Sequence, residues 1–96
     1  MTVREQVHVL RQEILQAAEA SGARRVRLFG SAARGQESSV SDVDLLVSLD
    51  PGRTLLDLAR LEARLEQLLH RAVDVVPESG LREPFRSTVL RDAVDV

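Results

Sequence analysis

The chain has 96 residues, no cysteine, and fifteen acidic residues against thirteen basic ones, all arginine, for a net charge of −2. These values exclude disulfides, thiolate metal sites and a cysteine nucleophile. They also supply neither the basic field of a stable nucleic-acid binder nor, at 2% aromatic content, a platform for stacking bases. The length suits a single domain over residues 1–96, and without a signal-like or membrane-length apolar run the expected location is the cytoplasm, with no membrane contact.

From Thr2 to Ala20 the apolar positions Val3, Val7, Leu10, Ile14 and Ala17 recur at steps of three and four, which predicts one amphipathic helix ended by Ser21-Gly22. Arg25 to Phe29 reads as a short strand, with Val26 and Leu28 on one face and Arg25, Arg27 and Phe29 on the other. Arg24, Arg25 and Arg27 are expected to be ordinary surface charge on that strand. Ala32-Ala33-Arg34 has room for one helical turn before Gly35, and Val40 to Leu49 is a valine- and leucine-rich strand stopped by Asp50-Pro51-Gly52. The two strands are expected to be antiparallel neighbours.

Thr54 is the expected N-cap of a helix to about Arg71, with an inward stripe of Leu55, Leu58, Leu61, Leu65, Leu68 and Leu69. A second apolar line, Leu56, Ala59 and Ala63, lies beyond Glu62 and Glu66 and suits either the C-terminal helix or another chain. Ala72 to Val76 is a third strand, and Pro84 to Arg91 a last helix carrying Phe85, Val89 and Leu90 inward. The fold class is therefore α+β, a short mixed sheet with helices packed on it, in the order α-β-β-α-β-α. His8 and His70 read as surface and helix-end residues.

The chemistry is expected at the second strand. Asp42 and Asp44 are two apart, so both carboxylates leave one face, with Cα atoms roughly 6.5 to 7 Å apart. Such like charges repel unless a cation lies between them, and magnesium takes one or two carboxylates together with substrate phosphates. Asp74, a polar residue inside the apolar run Val73-Asp74-Val75-Val76, is the third candidate ligand and a candidate base for an attacking hydroxyl. A pair of ions suits in-line displacement at phosphorus.

Gly30-Ser31 stands where the first strand gives way to a turn. Glycine lets backbone approach a phosphate, Ser31 and the amides after it can donate to phosphate oxygens, and Arg34 neutralises further charge. Gly35 then turns the chain back toward Ser41 and the acids. Taken singly, each feature is common on surfaces; the joint spacing carries the argument.

Gly30-Ser31-Ala32-Ala33-Arg34-Gly35, Ser41-Asp42-Val43-Asp44-Leu45-Leu46-Val47 and Val73-Asp74-Val75-Val76 resemble the signature of the DNA polymerase β-type nucleotidyltransferase superfamily, in its minimal branch. The resemblance spans essentially the whole chain. It implies a nucleotidyltransferase fold, two Mg2+ ions, and ATP as nucleotide donor. It further implies Asp42 and Asp44 as bridging metal ligands, Asp74 as ligand of the catalytic metal, and Gly30 and Ser31 as the phosphate grip, with Arg34 and Ser41 beside them.

Small members of this branch pair with HEPN-domain RNase toxins as antitoxins, in some cases by transferring AMP to a toxin tyrosine. The resemblance thus implies a protein adenylyltransferase in a hetero-oligomer with such a toxin. This chain has no tyrosine, so a tyrosine acceptor must come from the partner. Neutralisation by binding alone, and transfer to a small molecule such as an aminoglycoside, are the alternatives.

Overall fold

A computed structural model describes residues 1–35 and 42–96. The first helical stretch is two helices, α1 (Val3–Val9) and α2 (Arg11–Ala20), which corrects the single helix expected there. The turn loosens at Leu10, yet Leu10 N–H still donates to Gln6 C=O at 3.0 Å and Ile14 N–H to Leu10 C=O at 2.9 Å. The apolar periodicity therefore runs unbroken through the bend, which is why spacing alone does not reveal it. Thr2 and Glu5 cap α1 reciprocally, each backbone N–H donating to the other's side chain at 3.1 Å.

Strand β1 (Ala23–Phe29) follows, then the short helix α3 (Gly30–Ala33), β2 (Val43–Leu49), α4 (Leu55–Leu69), β3 (Val73–Pro77), a 3-10 turn over Glu78–Gly80, α5 (Phe85–Asp92) and β4 (Val94–Asp95). The sheet runs β3-β2-β1-β4. β1 is antiparallel to β2 and to β4, whereas β2 and β3 are parallel, joined across the sheet by α4. The chain's last residues, too short to be read from sequence, thus form an edge strand.

One face of the sheet carries Val26, Leu28, Val43, Leu45, Val47, Val73 and Val75, all buried against Val3 and Val7 of α1, Ile14 and Ala17 of α2 and the leucines of α4. The helix predicted from Thr54 forms, and Thr54 N–H donates to Asp57 at 2.8 Å to fix its first turn. Leu58, Leu61, Leu65 and Leu69 are buried as expected, but Leu55 is 80% exposed. Fifteen residues of helix extend about 22 Å, whereas the five of β3 extend about 17 Å, so the first turn of α4 overhangs its support. Leu56, Ala59 and Ala63 are also exposed, and α5 leans on α3 and β1.

Phe85 is 72% exposed, while Val89 and Leu90 are half-buried; the expected inward placement of Phe85 is corrected, because only the later turn of this short helix faces the packed side. His70 is exposed and closes α4 in the left-handed conformation at φ 53°. Gln6 ties α1 to this corner, donating to Leu69 C=O at 2.8 Å and accepting from Arg71 Nε at 3.2 Å. Among the described residues no helix is long and apolar enough to cross a membrane.

Candidate active site

The opposite face of the sheet carries the acids. Asp44 stands opposite Phe29 on antiparallel β1 and opposite Asp74 on parallel β3. Cross-strand partners share a face, so Asp44 and Asp74 are neighbours on one surface although thirty residues separate them. Asp42 lies just before β2 and is exposed, as is Asp74; Asp44 is half-buried. The sheet register, not the sequence, brings the third acid to the first two.

Burial pushes the Asp44 carboxyl above its ordinary value, and the negative charges of Asp74 and then Asp42 push it further; Arg34 acts in the opposite sense. Asp44 therefore feels both other carboxylates and Arg34.

Gly30 begins α3 with φ +76°, and a β-carbon there would overlap Asp44 Oδ2. Only glycine lets the strand-to-helix turn close over the acid at this point. Ser31 is half-buried in the same first turn, and no side chain caps the helix at Phe29. The first turn of α3 therefore lies beside Asp44.

Arg34 ends α3, and its Nη1 lies 3.3 Å from Asp92 Oδ2 of α5. Arg4 of α1 donates through Nη1 to Ala33 C=O at 3.4 Å and steadies the same turn. Neither Arg4 nor Asp92 is detectable from motif spacing, since 29 and 58 residues separate each pair. Ser41 lies outside the described residues.

The donor set suits a hard cation. Asp42, Asp44 and Asp74 offer only oxygen, and the part of the upward push on Asp44 that Asp74 and Asp42 add to that of burial is repulsion that a bound dication would relieve. Among the described residues no three acidic or histidine side chains converge into a finished metal cage. Magnesium needs none, because it fills most of its shell with phosphate and water oxygens.

A groove of about 510 Å³ between α1 and the C-terminal strand, whose lining includes Met1, Val7, Val9, Val94 and Val96, touches none of these acids. Its lining is largely apolar and offers no clustered carboxylates for a metal. The acidic face, not this groove, is the candidate site.

Residues 10–96 match the model of the nucleotidyltransferase domain family. The chain belongs to that family. A solved structure described as a candidate minimal nucleotidyltransferase is 47% identical, superposes with a TM-score of 0.87, and is matched over 100% of this chain and 97% of its own. Protein adenylyltransferase MntA of Thermococcus cleftensis is 38% identical over 96 residues, covering 100% of this chain and 97% of that one. A toxin-antitoxin crystal structure with AMP-PNP shares the fold at TM-score 0.75 and 20% identity, over 88% of this chain and 69% of that one. This nucleotidyltransferase is thus of the minimal kind, and the full span of the match includes every element that bears the acids.

Proposed function

We propose that this nucleotidyltransferase transfers AMP from ATP, with Mg2+, to a tyrosine hydroxyl of a HEPN-type RNase toxin and thereby acts as its antitoxin. The observation that carries the reading is the register of Asp44 against Asp74, with Gly30 closing over Asp44. Adenylyl transfer is favoured by the relative named protein adenylyltransferase, and the toxin partner by the toxin-antitoxin structure with AMP-PNP. The chain lacks tyrosine, so a tyrosine acceptor arrives on another molecule.

In this mechanism the amides after Gly30 and the Ser31 hydroxyl donate to the triphosphate, and Arg34 offsets its charge. Magnesium held by Asp42, Asp44 and Asp74 supplies charge neutralisation at the reacting phosphate. The acceptor oxygen forms a bond to the α-phosphorus as the bond to the pyrophosphate oxygen breaks, and pyrophosphate leaves with that electron pair. Asp74, exposed at the strand edge, takes the hydroxyl proton.

The test combines the purified chain, the protein encoded beside it and Mg-ATP, and reads the intact mass of both. The expected product is the partner carrying one or more AMP groups. Asp42→Asn with Asp44→Asn abolishes the added mass while the complex persists. An unmodified partner in a stable complex with the unaltered chain refutes transfer and leaves neutralisation by binding.

A further inference from the structure

Strand β3 holds Asp74 at the edge of the sheet, with β2 as its sole neighbour in the ladder among the described residues. Amides alternate sides along a strand, so those of Val73 and Val75, which flank Asp74, point away from β2 toward the open edge. They are not left to water. Val73 N–H donates to Glu66 at 3.0 Å and Val75 N–H to Glu62 at 2.8 Å.

Glu62 and Glu66 are one helical turn apart on α4, so one face of that helix offers two carboxylates at a spacing that meets alternate amides of the strand. α4 is itself fixed by Leu58, Leu61, Leu65 and Leu69 in the core. We propose that Glu62 and Glu66 are positioning residues for Asp74, clamping the strand on the side that the sheet does not hold. The inference rests on the reading of Asp74 as a metal ligand.

Hydrogen bonds to a charged acceptor are stronger than neutral ones, and an edge strand without them frays at low cost. Asp74 must stay opposite Asp44 if both are to share an ion, so fraying of β3 acts on the separation of the two carboxylates. The clamp also fills the donors that would otherwise invite another strand to pair at this edge. Neither glutamate touches the reacting groups in this scheme; each acts through the backbone on either side of Asp74.

The test uses the full chain with AMP-PNP and Mn2+ as the probe metal, free Mn2+ being read by electron paramagnetic resonance. Amide exchange at Val73 and Val75 is followed in parallel. In Glu62→Ala/Glu66→Ala, exchange at both amides accelerates and the weaker-bound Mn2+ loses roughly tenfold in affinity. Glu62→Gln/Glu66→Gln keeps an oxygen acceptor at each place and restores both readouts; single alanine variants give intermediate values if the double variant unfolds. Accelerated exchange with unchanged Mn2+ affinity overturns the inference. Asp74→Ala separates the premise: if it retains both ions at full affinity, Asp74 is no ligand and the underlying reading fails instead.

Discussion

Gly30 and Asp44 compete for one small volume, since a β-carbon on Gly30 would overlap Asp44 Oδ2. The turn and the acid therefore have to be considered together. Gly30→Ala meets two penalties: the left-handed φ of +76° costs a side-chain-bearing residue about 1–2 kcal/mol, and Asp44 must move aside. The expected outcome is a lower urea midpoint and a loss of transfer of roughly 100-fold or more, as for other displacements of about 1 Å in a reacting site. A variant with full transfer activity would show that Asp44 does not need its present position.

Asp44 also makes stability depend on pH and metal. Its folded-state carboxyl is raised above the ordinary value, first by burial and then by Asp74 and Asp42, so its ionisation opposes folding. The unfavourable contribution is absent below the unfolded carboxylate value of about 4 and develops as the pH rises through the raised folded value. In metal-free buffer at pH 7, Asp44→Asn should therefore raise the urea midpoint, and the gain should vanish at acid pH. Mg2+ should stabilise the unaltered chain more than the variant, while transfer is lost. A variant less stable than the parent at pH 7 contradicts this account.

The candidate site was legible in part: alternate residues of a strand share a face, which led to Asp44, and Gly30 stands at a strand end, but β2 begins at Val43, so Asp42 lies one residue before the strand expected to carry it. The same periodicity misassigned Arg27. It placed Arg27 with Arg25 on a solvated face, whereas Arg25 is exposed and Arg27 is 7% exposed. Arg27 faces Leu46, which is fully buried on that second face, and Glu78 supplies its counter-charge from 51 residues away. The roles of Glu62 and Glu66 were not legible for a similar reason: their partners are strand amides, which leave no mark on side-chain pattern. Leu55 and Phe85 failed because helix periodicity gives a face but not the point where the supporting layer ends.

Arg34 is shared between the acidic face and Asp92, 3.3 Å away on α5. Asp92 also lies 3.6 Å from Arg91 Nε, and its ion pair with Arg34 competes with phosphate for that guanidinium. Asp92→Asn removes that competitor. Because an ion pair this exposed contributes at most about 1 kcal/mol, the KM for ATP should fall by no more than about fivefold, with kcat unchanged. Steady-state transfer kinetics decide it; a raised KM would mean that Asp92 orients Arg34 for the nucleotide instead of holding it back.

The Arg27–Glu78 pair is the last place where a charge pattern sets stability. Arg27 Nη2 donates to Glu78 Oε2 at 2.7 Å, with the two side chains 9% and 30% exposed. Among the described residues Arg27 Nε is buried without a hydrogen-bond partner, so Glu78 is the main compensation for this guanidinium. Glu78 has other company, Ser48 Oγ at 3.4 Å and Arg86 Nη2 at 3.9 Å, and part of it reaches water. Removing the acid is therefore worse than removing the base: Glu78→Ala leaves a buried cation and should cost about 3 kcal/mol. Arg27→Met keeps the volume beside Leu46 without a charge and should cost less. In the double variant the stranded cation is gone, so its stability should lie above that of Glu78→Ala alone, a coupling that urea denaturation of the four proteins measures directly. Strict additivity of the two losses would mean that Arg27 is compensated by something other than Glu78.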